Sequence, residues 1–416
     1  MSTISIDGDR LLGRIRTLGG IGRDEAGRLT RLAATDADKL GRDAFVAWSR
    51  DAGLDVRIDR IGNLFAIWGG GQGHAPLMIG SHIDTVIDAG MFDGCYGVLA
   101  GLEVVQTLAE TGVSPDRPIV VAAFTNEEGV RFSPDMMGSA VFAGSHPLEA
   151  ALASEGTDGA LLGAELRRIG YAGDEEPGFL KPGAYLELHI EQGPILEHEG
   201  VGIGAVDSLQ GISWQRIAIV GEANHAGTTP MTMRRDAGHA AARVIDFLRR
   251  SALERAPRLV ATVGSLGLWP NAINVVPGEA VLTVDMRSPD ADILAAAEAR
   301  FAAFLQEMRS EGGFSITQTR LVRTEPVQFD GRIVRLVETA AAGRGLTVRR
   351  MTSGAGHDAQ MLAPIAPTAM IFVPSAGGIS HNPREHTADD PLIAGANVLL
   401  DVVRDLIAAL PSGGGA

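Results

Sequence analysis

The sequence predicts an α/β protein of two domains, a larger one on a helix-flanked sheet and an inserted ferredoxin-like α+β domain. Three observations point there. Between Leu77 and Phe124 a strand pattern, a helical pattern and a second apolar strand pattern follow one another, as in a right-handed parallel crossover. From Trp214 to Arg320 the patterns run strand, helix, strand, strand, helix, strand, which is the ferredoxin-like order. A length of 416 residues also exceeds what one core usually fills.

Thr35-Asp36-Ala37-Asp38 reads as an N-cap with acids in the first turn. The helix it opens carries Leu40, Ala44, Phe45 and Trp48 at helical spacing and stops at Gly53, so those side chains are expected on its core face. Two short β-like runs follow, Asp55–Ile58 and Asn63–Trp68, the second closed by Gly69-Gly70-Gly71. The strand Leu77–Ile79 then delivers His82 and Asp84 at its carboxyl end, and a glycine-punctuated loop presents Asp93 before a helical pattern over Val98–Leu108. The apolar run Pro118–Phe124 ends directly in Thr125-Asn126-Glu127-Glu128-Gly129. The crossover therefore puts both glutamates at the same sheet edge as His82, where α/β sheets expose their chemistry. As neighbours on a strand end, the two acids are expected to point to opposite sides.

Ser145–Gly183 reads as helical fragments and surface loop. Ala184–Ile190 alternates again and sets His189 near a strand end, ahead of Glu191-Gln192-Gly193-Pro194. Gly202–Asp207 is a short strand, and Ser208–Gly211 reads as a hinge into the inserted domain, taken as residues 211–326. Residues 1–210 and 327–416 are left for the catalytic domain. It resumes with a helix over Ile333–Ala342, the loop Ser353–Asp358, a strand over Thr368–Val373, the loop Gly377–Arg384 and a closing helix over Pro391–Leu410. The tail Pro411–Ala416 is expected to be disordered.

Composition narrows the function. With 45% hydrophobic and 21% charged residues the chain is a globular protein, and no run approaches the ~18 apolar residues of a membrane span. Its start lacks an unbroken apolar core, so no signal peptide is read there, and the single cysteine, Cys95, cannot form an internal disulfide. A cytoplasmic location is the expectation. The formal charge of −15 argues against nucleic acid as a partner, and no membrane partner is expected.

Gathering the polar side chains at strand ends gives His82, Asp93, Glu128, His189 and His381, with Glu127 left over. Imidazole and carboxylate donors without thiolate suit zinc, manganese, cobalt or nickel. Two divalent ions sharing Asp93 would each receive two more ligands, His82 and His189 on one, Glu128 and His381 on the other. Glu127, beside the ions but not on them, is then the natural general base and later proton donor, and Asp84 is a carboxylate that orients a ligand. Such a site predicts hydrolysis of an amide-like bond.

The motifs GSHIDTV with FDG, FTNEEGVRF, LELHIEQGPILE, NHAGTTPM with RRDA, NVVPGEAVLTVDMRSP, SGAGHDA and GISHNPREHT run through nearly the whole chain. Together they resemble the metal-dependent amidohydrolases of the M20 peptidase superfamily. More narrowly they resemble the hydantoinase/carbamoylase branch, with its N-carbamoyl-L-amino acid hydrolases, allantoate amidohydrolases and β-ureidopropionases. The resemblance implies a zinc-peptidase-like catalytic domain, a mixed sheet flanked by helices, with an inserted lid through which a homodimer forms. It implies two divalent metal ions on the five residues named above, Glu127 as acid/base and Asp84 as support for His82. It also implies substrate contacts at Gln192, His225, Asn271 and Arg287, with backbone help around Gly356.

The residue chemistry fits those roles. Arg287 offers the planar fork that grips a carboxylate in two places. His225, in a loop of small and polar residues, suits the oxyanion formed when water attacks a carbonyl. Asn271 suits either that oxyanion or the carboxylate. His357 and His386 flank the site and read as supporting groups rather than ligands. The expected substrate is a small ureido carboxylate bound between lid and metals, an N-carbamoyl-L-amino acid first and allantoate or N-carbamoyl-β-alanine next. A dinuclear aminopeptidase or dipeptidase is the more distant alternative.

Overall fold

The computed structural model describes residues 4–70, 74–311 and 313–409. The tail Pro411–Ala416, Leu410 at the end of the expected closing helix, and Gly71 lie outside them. Two compact units are present, Met1–Asp207 with Gln328–Ala416, and Ser208–Val327.

In chain order the strands are β1 (Asp55–Ile58), β2 (Leu64–Trp68), β3 (Leu77–His82), β4 (Ile119–Phe124), β5 (Ala184–Ile190), β6 (Ile203–Leu209), β7 (Gly211–Val220), β8 (Asn224–His225), β9 (Val260–Trp269), β10 (Val275–Val276), β11 (Glu279–Ser288), β12 (Ser315–Thr324), β13 (Val327–Gln328), β14 (Val348–Ser353) and β15 (Thr368–Val373). The larger unit is built on a mixed nine-stranded sheet, β1-β2-β4-β3-β5-β15-β6-β13, with β14 beside β6. Its centre is parallel: β4 to β3, β3 to β5 and β5 to β15. Every residue of β3, β4, β5 and β15 is buried, because helices cover both faces. The crossover helix Cys95–Glu110 packs on β3 and β5, with Gly97 and Gly101 on the contacting face. Gly97 makes that possible, since a Cβ there would lie 2.3 Å from the Leu188 carbonyl oxygen.

The smaller unit is a four-stranded antiparallel sheet, β12-β7-β11-β9. The helices Ala237–Leu253 and Ala291–Ser310 cover one face, burying Ile217, Val244, Leu282, Leu294 and Phe301. Alternation is clean along β7 and β11, as a half-covered sheet requires.

Several local expectations need correction. The Asp36–Asp51 helix does use Thr35 as N-cap, its hydroxyl accepting from Asp38 N–H. Its core face, however, carries Asp38, Arg42 and Phe45, while Leu40 is exposed, because the buried Arg42–Asp38 ion pair and the Arg42 bond to the Gly62 carbonyl take that side. Ser208 and Leu209 are strand rather than hinge, and only Gln210 separates β6 from β7. A helix over Gly8–Gly20, capped by Asp7, and the strand β14 were not foreseen. Among the described residues no helix is long and apolar enough to cross a membrane.

Candidate metal centre

Parallel pairing of β3 with β4 sets His82 opposite Phe124, so the turns that follow leave from one sheet edge. Pairing of β3 with β5 stops at Ile79 and Leu186, yet both strands run on, to His82 and to His189. Glu187 fills the gap, accepting from the Ser81 hydroxyl at 2.7 Å and from Ala359 N–H at 2.8 Å.

Both histidines are buried, and each has its Nδ1 on a main-chain carbonyl, His82 on Asp84 O at 3.0 Å and His189 on Ile190 O at 2.8 Å. Those bonds put the proton on Nδ1 and leave Nε2 with its lone pair toward the cluster, where that of His189 also accepts from Gly94 N–H at 3.0 Å. The two Nε2 atoms converge on one oxygen: Asp93 Oδ1 lies 3.5 Å from His82 and 3.2 Å from His189. The other oxygen, Oδ2, lies 3.2 Å from His381 Nε2, and Glu128 Oε2 is 3.5 Å from that same nitrogen. The side chains thus form two donor groups, His82, Asp93 and His189, and Asp93, Glu128 and His381, joined at Asp93. Glu127 sits beside the first group, its Oε2 3.4 Å from His82 Nε2.

The donors fit divalent cations on three counts. They are imidazole nitrogens and carboxylate oxygens at ligand-like spacing. Glu128 Oε1 is buried without a hydrogen-bond partner, a state that native interiors rarely tolerate without an ion or water. The electrostatics are those of a site short of positive charge. Burial works against it, but Glu127 and Asp93 hold the His82 imidazole well above its ordinary pKa, and Asp93 lifts His381 to about 9. Burial and the charge of Asp93 push Glu128 up to about 8, and burial pushes Glu127 well above the usual carboxylate range. A further grouping, Glu187, His189 and His357, has its donors engaged elsewhere, with Glu187 accepting from Ser81, Tyr185 and Ala359 and His357 Nε2 on the Ser353 hydroxyl.

Backbone geometry shapes the site. Gly94 has φ +62°, and a Cβ there would lie 2.4 Å from the His82 ring. Asn126, Gln192 and His381 take up left-handed conformations at φ 57°, 57° and 52°, a strain that concentrates at functional sites. Glu127 and Glu128 are therefore separated by a turn and not by strand alternation. Asp84 organises that turn, its carboxylate accepting from Glu127 N–H and Glu128 N–H at 3.3 Å each. It orients His82 through its carbonyl, since its carboxylate is 3.8 Å from Nδ1.

Gln192 lies with this cluster: its amide donates to Asp93 Oδ2 at 2.8 Å and to the Ser380 hydroxyl at 3.1 Å. Gly356 packs on Met136, the residue whose N–H bonds the Glu127 carbonyl. His357 is buried edge-on against the His189 ring, whereas His386 is exposed beside Phe92. Sequence reasoning missed Ser380 and Glu385, the latter accepting from Phe92 and Asp93 N–H.

The lid residues do not form one group. β8 pairs with β10, and Ala226 N–H bonds Asn274 O, which draws the loops of His225 and Asn271 to one end of the sheet. His225 Nδ1 accepts from Gly227 and Thr228 N–H, so Nε2 carries the proton outward. Arg287 is at the other end of β11: Glu279 pairs with Val220 and Trp269 near the His225 and Asn271 loops, and Arg287 pairs with Ile212 and Val260. At ~3.3 Å per residue the separation is roughly 26 Å. The Arg287 guanidinium forks onto Asp285, at 3.1 Å from Nε and 2.9 Å from Nη2. Beside that pair, on the open sheet face, a groove of about 310 Å³ is lined by Trp214, Thr262, Gly264, Thr283 and Leu321.

Comparison with known proteins gives the family. An N-carbamoyl-L-amino-acid amidohydrolase of Rhizobium meliloti is 43% identical over 399 residues, 96% of either chain. An allantoate amidohydrolase of Bacillus subtilis is 34% identical over 398 residues, 94% of this chain and 96% of that one. The crystal structure of an amidase of the hydantoinase/carbamoylase family from Burkholderia multivorans superposes with a TM-score of 0.94 at 45% identity, covering 96% of this chain and 97% of that one. Residues 78–405 match the family described as peptidase family M20/M25/M40, and the chain belongs to that family.

Proposed function

We propose that this protein is a cytoplasmic, metal-dependent amidohydrolase that cleaves the ureido C–N bond of an N-carbamoyl-L-amino acid, giving the L-amino acid, carbon dioxide and ammonia. The observation that carries the reading is the pair of donor groups joined at Asp93, with Glu127 beside them and off both. His82, His189 and Asp93 would hold one divalent ion and Asp93, Glu128 and His381 a second, with zinc, manganese, cobalt and nickel all suited to the donors. Such ions supply Lewis acidity toward water and toward a carbonyl oxygen.

The chain's own groups do the rest. Glu127 takes the proton of the attacking water and returns it to the departing nitrogen, a role for which burial has raised its basicity. Asp84 fixes Glu127 and Glu128 by their main-chain N–H groups. Gln192 steadies Asp93 and offers its buried Oε1, which has no partner, to an N–H of the ureido group. The loop at Gly356 contributes backbone polar groups to the substrate.

On the lid, His225 donates its Nε2 proton to the developing oxyanion, with Asn271 beside it, and Arg287 exchanges Asp285 for the substrate carboxylate. A small substrate cannot span the roughly 26 Å between those two ends of β11. One lid therefore supplies one set, and a second subunit supplies the other. Of the two sheet edges, β12 and β9, we assign such a homodimer to β9, which exposes Val260, Leu266 and Trp269. The groove beside Arg287 favours an amino-acid side chain over the second ureido group of allantoate, because Trp214 and Leu321 give it an apolar lining.

Ammonia release from a panel of N-carbamoyl-L-amino acids, allantoate, N-carbamoyl-β-alanine and dipeptides tests this. Preference for carbamoyl-amino acids with large apolar side chains is the expected result. Hydrolysis of dipeptides alone, or full activity after exhaustive chelation, overturns it.

A further inference from the structure

We propose that Glu385 is a positioning residue for the metal centre, one that ties the turn carrying Asp93 to the loop carrying His381 through Ser380. The inference rests on the metal-site reading above and extends it to a residue that holds no ion itself.

Glu385 is buried, and both its oxygens face ligand loops. Oε1 accepts from Phe92 N–H at 3.1 Å and from Asp93 N–H at 3.3 Å. Oε2 accepts from the Ser380 hydroxyl at 2.8 Å. That hydroxyl in turn accepts from the Gln192 amide at 3.1 Å, and the same amide donates to Asp93 Oδ2 at 2.8 Å. Three chain segments that are distant in sequence thus meet at one carboxylate and one hydroxyl. All three bonds to Glu385 come from donors, which suits an acceptor-only side chain.

His381 shows why the tie is needed. Its side chain is 55% exposed and its backbone is left-handed, so packing does little to aim the ring at Asp93 Oδ2. Ser380, the residue before it, is what anchors that loop to the Asp93 turn. Gly90 records the closeness of the fit: a Cβ there would lie 2.2 Å from Glu385 Oε1 and 2.4 Å from its Cβ, so any side chain at this position displaces the acid. The arrangement acts on the Oδ2 side of Asp93, where His381 and Glu128 lie, and leaves the two buried histidines to their own main-chain carbonyls.

The test is zinc(II) binding to chelator-treated protein, measured by competition with a chromophoric chelator and compared at the last equivalent taken up. Glu385→Ala is expected to weaken that equivalent by roughly 10–100-fold, the usual cost of losing a supporting partner behind a metal ligand. Glu385→Gln should stay within about threefold of wild type, since its carbonyl keeps the two main-chain bonds and its amide can donate to Ser380. Gly90→Ala, which leaves the acid in the sequence, should weaken that equivalent at least as much as Glu385→Ala, because the added methyl meets both Oε1 and Cβ of Glu385. Where Glu385→Ala does not fold, Ser380→Ala replaces it and is expected to weaken the same equivalent. Zinc affinity unchanged in the alanine variants, or lost equally in Glu385→Gln, overturns the proposal. The assay contains no substrate, so failure of the ureido assay leaves its outcome standing, and an unaltered zinc affinity leaves the ureido reading standing.

Discussion

Oδ2 of Asp93 lies 3.2 Å from Nε2 of His381, on the opposite carboxylate oxygen from the one that faces His82 and His189. If that split assigns one oxygen to each ion, the ligands differ in what their loss does. Asp93→Ala should release both ions, whereas His381→Ala should release only the one on its side. Metal analysis after gel filtration reads the two ratios. Equal loss in both variants would mean a single ion.

Glu127 is close enough to His82 to share its environment, at 3.4 Å, but belongs to neither donor group. Glu127→Gln is therefore expected to lower kcat by roughly 10²–10⁴-fold, the range for losing a general base, while leaving metal content unchanged. Retained turnover would remove Glu127 from the proton pathway.

Gly94 stands between Asp93 and the crossover helix with its backbone in the left-handed region and the His82 ring where a side chain would go. Gly94→Ala should cost more than about 1 kcal/mol in stability from backbone strain alone, and should shift the imidazole besides. A chemical denaturation midpoint and a zinc titration measure the two effects. Normal zinc binding in a destabilised protein would separate backbone from ligand.

The residues that were legible in the sequence are those whose position follows from periodicity. The strands Leu77–His82, Ile119–Phe124 and Ala184–Ile190 are continuous apolar runs, so the polar residues at their ends stood out. The β-α-β-β-α-β order of the lid was legible for the same reason. What was hidden depends on contacts between distant segments. Glu385 sits in an irregular loop beside Arg384 and reads as a solvated acid until the Asp93 turn is placed over it. Leu40 looked like core because only the fold brings the Gly62 carbonyl to Arg42, which buries that side of the helix together with the local Arg42–Asp38 pair. Strand alternation was the expected reason for Glu127 and Glu128 to part, but Asn126, at φ 57°, ends the strand in a turn before them. The distance between Arg287 and the His225 loop became visible only with the strand register.

Asp59 gives a pH dependence unrelated to the metals. It is fully buried, and burial raises its carboxyl to about 7 although Asn63 donates to it from its main chain and its amide. The folded form therefore holds a proton that the unfolded chain has released, between roughly pH 4 and 7. The stability it contributes is present in full below that window and is lost as pH rises through it, by about 1.4 kcal/mol per pH unit, levelling off above 7. Denaturation of wild type and Asp59→Asn at pH 5 and 8 should show the slope in wild type and its reduction in the variant. Parallel curves would assign the slope to other groups.

The proposed carboxylate clamp at Arg287 makes the last prediction. Its fork is matched to a carboxylate, and in the structure Asp285 provides one. A substrate carboxylate that takes over the fork gains two parallel charge-assisted bonds, whereas a lysine would supply a point charge and reach only one oxygen. Arg287→Ala should raise KM for carbamoyl-amino acids by about 10–100-fold, consistent with ~1.5–3 kcal/mol for hydrogen bonds to a charged group. Arg287→Lys should recover only part of it. Kinetics on the corresponding carbamoyl-amino acid amides provide the check, because wild type and Arg287→Ala should handle them alike. If the variant loses as much on the amide as on the acid, Arg287 supports the lid sheet through Asp285 and the carboxylate is bound elsewhere.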